Sequence, residues 1–146
     1  MKAKAYLKQL RMYDRIITAR ISKKERMMES ATKVTPTMRT DGAKPGGGNQ
    51  DKIGSLSCDM ADLERTIDFY VDKLADLRTD VLLLLARMKH ERQRDVLYYR
   101  YVQYLSWGDI AEKMGYKSIR GAMKVHGRAL AAFEKVMEEV KPHAED

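Results

Sequence analysis

Residues 105–130 read LSWGDIAEKMGYKSIRGAMKVHGRAL, and this stretch decides how the chain ends. Ser106 stands three residues before Asp109, an N-cap arrangement: the hydroxyl accepts from an orphan amide and the carboxylate favours the positive helix end. Trp107 to Met114 then reads as a short helix with Ile110, Ala111 and Met114 on one face, Trp107 and Ile110 anchoring it. Gly115 ends it as a residue free to take positive φ. Ser118 caps a longer helix running to about Val140, with an expected buried seam of Ala122, Met123, His126, Leu130, Phe133, Met137 and Val140. On its other side Lys117, Arg120, Lys124 and Arg128 recur every three or four residues, and no acid occurs from Lys113 through Phe133. A short helix, a tight turn and a helix with a basic N-terminal half are the parts of a helix-turn-helix whose second helix enters a major groove. Lys117, Ser118, Arg120, Gly121, Lys124 and Arg128 are the expected DNA contacts.

Upstream, Glu91 to Tyr104 reads as a helix, with Val96, Leu97, Tyr101 and Tyr104 at helical spacing. Before it, Met60, Leu63, Ile67, Tyr70, Leu74, Leu77, Val81, Leu84 and Met88 alternate steps of three and four, the a and d spacing of a coiled coil. Apolar surface broadens at Leu82, Leu83 and Leu85. A helix over 59–90 spans roughly 45–50 Å and cannot hide that stripe alone. Residues 2–30 offer a matching line, Ala3, Leu7, Leu10, Asp14, Ile17, Ile21, Lys24 and Met28, interrupted by Asp14 and Lys24. Either this helix folds back antiparallel or a second copy supplies the partner; the expectation is a homodimer through the nine a and d residues. Between the helices, residues 34–57 contain Pro36, Gly42, Pro45, Gly46, Gly47, Gly48 and Gly54 and read as a flexible linker. The expected organisation is all-α: a basic N-terminal helix (1–33), the linker (34–57), a coiled-coil helix (58–90) and a helix-turn-helix module (91–146).

Charge is distributed unevenly over the 146 residues, whose net charge is +7. Residues 1–40 hold eleven Lys/Arg against three Asp/Glu, residues 58–90 five against seven, and residues 91–128 eight against four. Two basic blocks flank an acidic one, and a polyanion is a natural partner for such a chain.

Other functions find little support. Cys58 is alone, so no disulfide framework exists, and no apolar h-region follows the basic N-terminus, which argues for a cytoplasmic protein without a signal peptide. The longest apolar run, Val81 to Ala86, is too short to span a bilayer. His90, His126, His143 and Cys58 do not fall at metal-ligand spacing, and Asp59, Asp62, Asp68, Asp72, Asp76 and Asp80 are strung along a helix where they cannot converge. No metal, cofactor or small-molecule substrate is expected. His126 reads as a hydrogen-bonded core residue, and Tyr98, Tyr99, Tyr101 and Tyr104 as packing aromatics. Gly46–Gly48 lacks the Lys-Ser/Thr and the preceding strand of a phosphate loop. No set of nucleophile, base and oxyanion donors is present, so the chain does not read as an enzyme.

Asp95-Val-Leu-Tyr-Tyr-Arg-Tyr, Leu105-Ser-Trp-Gly-Asp-Ile-Ala-Glu-Lys-Met-Gly-Tyr and His126-Gly-Arg-Ala-Leu together resemble region 4 of sigma-70-type factors. Over nearly its whole length the chain is similar to small phage and prophage proteins of Gram-positive bacteria, the ArpU- and RinA-like late-gene regulators. It departs from the sigma pattern in one residue more between Gly115 and Leu130, and a region 2 is lacking, so a complete sigma factor is not expected. The resemblance implies a sequence-specific regulator of phage transcription, acting on double-stranded DNA in the bacterial cytoplasm and contacting RNA polymerase. Two other readings remain open: an adaptor that recruits a host protein through the coiled coil, and a small terminase-like packaging subunit.

Overall fold

The computed structural model describes residues 2–34 and 48–140. The chain is all-α, and no strand occurs among the described residues. The helices are α1 (Lys2–Val34), α2 (Gly48–Ala86), α3 (Glu91–Leu97), α4 (Trp107–Met114) and α5 (Ile119–Val140), with a π-helical turn at Tyr98–Val102 after α3. Two compact units result, residues 14–73 and residues 1–13 with 74–146.

In the unit of residues 14–73, α1 and α2 run antiparallel. Lys24 Nζ meets Glu64 Oε1 at 3.0 Å, and the Arg20 guanidinium lies 5.7 Å from the centre of the Tyr70 ring. Ile17 and Leu63 are buried, while Met27, Met60, Ile67 and Tyr70 are half-buried. The seam of α1 departs from the expected line here, because Ile21 and Met28 are exposed and Arg20 and Met27 face inward in their place. Neighbouring positions differ by about 100° around a helix. The turn that lays Arg20 on Tyr70 and brings Lys24 to Glu64 therefore carries Ile21 and Met28 outward.

Helix α2 starts at Gly48, ten residues before its expected start at 58. Residues 48–57 are thus helical where a linker was expected, while 35–47, with Pro36, Pro45, Gly46 and Gly47, lie outside the described residues. Leu56 is half-buried and extends the alternating line of Met60 and Leu63 by one step. That gain outweighs Gly54, whose presence inside a helix costs only about 1 kcal/mol.

The other unit builds its core from all five helices. Ala3, Leu7 and Leu10 of α1 are fully buried, and the Tyr6 ring stands 6.3 Å from that of Phe133. Tyr104 Oη donates to the Leu10 carbonyl at 3.3 Å. Val81, Val96, Leu97, Ile110, Ala122, Ala129 and Phe133 are fully buried as well. The opening residues of the basic helix thus belong to the C-terminal core, whereas the sequence reading placed them in a separate N-terminal element.

The expected third helix over 91–104 changes character at Tyr98. The Gln103 amide bonds the Tyr98 carbonyl at 3.0 Å, five residues back, and Leu105 bonds Tyr99 at 2.9 Å. Tyr104 takes a left-handed φ of 59°, a position that costs a non-glycine residue energy. Its hydroxyl bond to Leu10 and the Arg11 guanidinium 5.9 Å over its ring hold it there. Arg100 closes the same corner, stacking 4.7 Å from Trp107 and donating to the Leu105 carbonyl at 3.0 Å.

Candidate nucleic-acid interface

Helix α4 begins and ends as its residues dictate. Ser106 Oγ accepts from the Asp109 amide at 3.2 Å, and Gly115 closes the helix at a φ of 76°. That left-handed turn lets the Gly115 and Tyr116 amides return to Glu112 and Ala111, at 3.2 and 2.8 Å. Ile110 is fully buried and Trp107 half-buried, so the short helix is anchored through its apolar face.

Tyr116 fixes the turn between α4 and α5. Arg92 lies 5.3 Å over its ring and donates to its hydroxyl at 2.9 Å. On the α5 side, a Cβ added at Gly121 would stand 3.1 Å from Tyr116 Cδ1, so glycine is what admits the ring. Gly121 is accordingly half-covered by Tyr116, while the other expected DNA contacts stand in solvent. Residue 118 directly precedes α5, and its carbonyl accepts from the Gly121 amide at 3.3 Å.

Along α5 the two faces separate cleanly. Ala122, His126, Ala129, Leu130, Phe133 and Met137 are buried. Two residues expected in this seam, Met123 and Val140, are exposed at 47% and 37%, and Ala129 is buried instead. Met123 sits at the margin of the stripe, one position from Ala122, and an inward place goes to the smaller Ala129, which permits closer helix approach. Opposite this seam Lys117, Arg120, Lys124 and Arg128 are all exposed, and among the described residues none of them makes an ion pair. The four cations thus form one open stripe. Ile119 and Met123 also expose apolar side chains near the start of α5.

His126 supports α5 from beneath. Its Nε2 is 2.8 Å from Tyr101 Oη, and Trp107 meets its ring edge-on at 4.8 Å. Burial, reinforced by the positive charges of Lys4 and Arg100, lowers its pKa to about 4. The imidazole is therefore neutral near pH 7 and acts as a hydrogen-bonded strut. Burial likewise raises the Tyr101 pKa. Among the described residues no three His, Cys, Asp or Glu side chains gather as a metal site, and His143 lies outside them.

Eight of the nine heptad residues fall on the inner face of α2; the helix ends at Ala86, short of the expected 90, and Met88 lies beyond it. Leu63, Leu74, Val81 and Met88 are buried, and Met60, Ile67, Tyr70, Leu77 and Leu84 half-buried. Within residues 14–73 they meet α1, and from Leu74 onward they join the core of the other unit. The stripe is thus covered in part within a single chain, with five of its nine residues left half-buried. No described helix is long and apolar enough to cross a membrane. In comparison with known proteins, no family model, no curated protein and no solved structure matches this chain.

Proposed function

We propose that this protein is a double-stranded DNA-binding transcription regulator of the phage type, with α5 as the helix that enters the major groove. One observation carries the reading: Arg120, Lys124 and Arg128 stand exposed on one face of α5, with Lys117 exposed in the turn before it, opposite the buried face and unopposed by any acid between Lys113 and Phe133. A major groove about 12 Å wide admits one helix, and helix α4 with the Tyr116-locked turn would hold α5 at a fixed angle to it. Arg120 and Lys124 suit base edges near the helix start, and Arg128 suits a phosphate. The resemblance to sigma region 4 supports a promoter as target and RNA polymerase as protein partner.

The basic block of α1 is the weaker candidate. Lys24 already pairs with Glu64, and Arg20 and Lys23 line a pocket with Asp59 and Asp62. Gel-shift titration at several salt concentrations, on duplexes selected from a random library and on scrambled controls, tests the assignment. Replacing Lys117, Arg120, Lys124 and Arg128 together by alanine is expected to abolish binding while the helical circular dichroism persists. A folded variant that binds as tightly as the parent refutes α5 as the reader. A parent that binds no DNA at physiological salt favours an adaptor.

A further inference from the structure

The last turns of α2 leave an unused surface. Leu83 is 62% exposed and Leu82 41%, and beside them opens a groove of about 340 Å³. Tyr6, Leu84, Met137 and Val140 give it apolar walls, and Asp80 and Arg87 stand at its rim. All of these residues belong to the same unit. A buried face of α2 already serves the core, so this is a second apolar face on the same helix end.

The charges at the rim identify what covers it. Asp80 precedes Leu83 by three residues and Arg87 follows Leu84 by three, so the four lie on one side of the helix, symmetric about the bond between Leu83 and Leu84. Arg87 lies just past the last helical residue, yet its amide still bonds the Leu84 carbonyl at 3.1 Å, which keeps it in register. Neither charge forms an ion pair among the described residues. An antiparallel second copy would set Asp80 against the partner's Arg87 and Arg87 against the partner's Asp80. A parallel copy would set like charges together. Two-fold symmetry further requires that each protomer offer both knob and hole, and here Leu83 projects beside a groove lined by Leu84.

We infer that the protein self-associates through this face as a two-fold dimer, Leu83 of each protomer entering the groove of the other, with two Asp80–Arg87 pairs closing the rim. The interface shares the half-buried Leu84 with the a and d stripe of α2 but otherwise uses Asp80, Leu83 and Arg87, which lie off that stripe. The patch is smaller than the roughly 800 Å² per partner of a standard stable interface, so association in the micromolar range is expected. Such a dimer carries two copies of α5, but the inference does not depend on DNA binding and is tested without it.

Light scattering on the full chain during gel filtration, across micromolar concentrations, is expected to rise from the 16.8 kDa of the monomer toward twice that mass. Leu83→Glu should hold the chain at the monomer mass with unchanged helical signal, since the side chain it replaces is largely in solvent in the single chain. Asp80→Arg and Arg87→Asp should each weaken association about tenfold or more through like-charge contacts, and the double variant should restore it. A parent that stays monomeric throughout, a Leu83→Glu variant that still dimerises, or a double variant that fails to recover would each overturn the proposal.

Discussion

Residues 14–73 and the unit of residues 1–13 with 74–146 are built from the same kind of amphipathic helix, yet they differ in depth and in charge. In the first, Ile17 and Leu63 are the only buried apolar residues among those described. In the second, Leu7, Leu10, Val81, Val96, Leu97, Ile110 and Phe133 are sealed completely. Two helices side by side cover each other along one line, whereas a third and fourth element can close a side chain from all directions. The cations differ in the same way. Lys24 of α1 meets Glu64 of α2, while no cation of α5 forms an ion pair among the described residues. A basic count therefore says little until the face opposite it is known.

The largest effect comes from testing depth on a single helix. Leu7 and Ile17 lie ten residues apart on α1, in different units. Leu7→Ala opens a cavity in a closed core and is expected to cost about 2–5 kcal/mol. Ile17→Ala lies in a two-helix layer that can partly collapse, so its cost should fall at or below the bottom of that range. Ile110→Ala, at a fully buried position of α4, should resemble Leu7→Ala at roughly 2–4 kcal/mol. Urea denaturation read with native-state hydrogen exchange resolves the two units. Equal costs at Leu7 and Ile17 would break the comparison.

Acid should separate the units next, because residues 14–73 contain no histidine and the other unit buries His126. Its folded pKa of about 4 lies below the ordinary 6.5, so folding favours the neutral ring. That contribution is complete above pH 6.5 and is lost as the pH falls through 4. Over this window the loss approaches an order of magnitude of 3 kcal/mol, at about 1.4 kcal/mol per proton and pH unit. The midpoint of the C-terminal unit should drop steadily below pH 6.5 in the parent, and His126→Gln should flatten the profile there. A slope that survives the substitution would trace the sensitivity to another group.

These tests also mark how far the sequence could be read. The Met60–Met88 line was legible because an unbroken three-four alternation leaves only one face to bury, and all nine residues are buried or half-buried. The partner of that face was not legible, since periodicity is the same for a fold-back and for a dimer. Leu7 and Leu10 continue the stripe of Ile17 without a change of pattern, so nothing local tells that they enter the core around Phe133. The caps of α4 were legible in Ser106, Asp109 and Gly115, where local chemistry decides the backbone. The π-turn at Tyr98–Val102 was not, because it follows from fitting Tyr101 against His126 and Arg100 against Trp107. The basic stripe of α5 was visible as spacing, and its openness only once the neighbouring helices were placed.

Charge gives the third prediction. Arg120→Ala should weaken DNA binding by about 1–3 kcal/mol and loosen preference at one base pair, since an arginine fork reads guanine O6 and N7. Arg128→Ala should weaken all sequences alike and lower the salt slope by about one. Replacing Arg20, Lys23 and Lys24 together should move affinity less than Arg120→Ala alone, because these side chains already face Tyr70, Asp59, Asp62 and Glu64. Gel shifts at matched salt rank the three variants. The opposite order would assign the contact to α1.

The smallest effect concerns two glycines on α5, six residues apart. Gly127 is exposed, and a Cβ there would meet nothing within 4 Å. Glycine inside a helix is destabilising by roughly 0.5–1 kcal/mol against alanine, because its unfolded backbone has more freedom to lose. Gly127→Ala should therefore raise the midpoint of the C-terminal unit by that amount. Gly121→Ala brings the same backbone gain but sets a methyl 3.1 Å from Tyr116 Cδ1, on a ring that Arg92 also contacts. The ring must give by a few tenths of an ångström, which loosens the Arg92 contact and offsets the gain. Stability should then change little, while the turn that would hold α5 for DNA is disturbed. If Gly121→Ala stabilises as much as Gly127→Ala and leaves DNA affinity intact, the Tyr116 contact does not set the angle of α5.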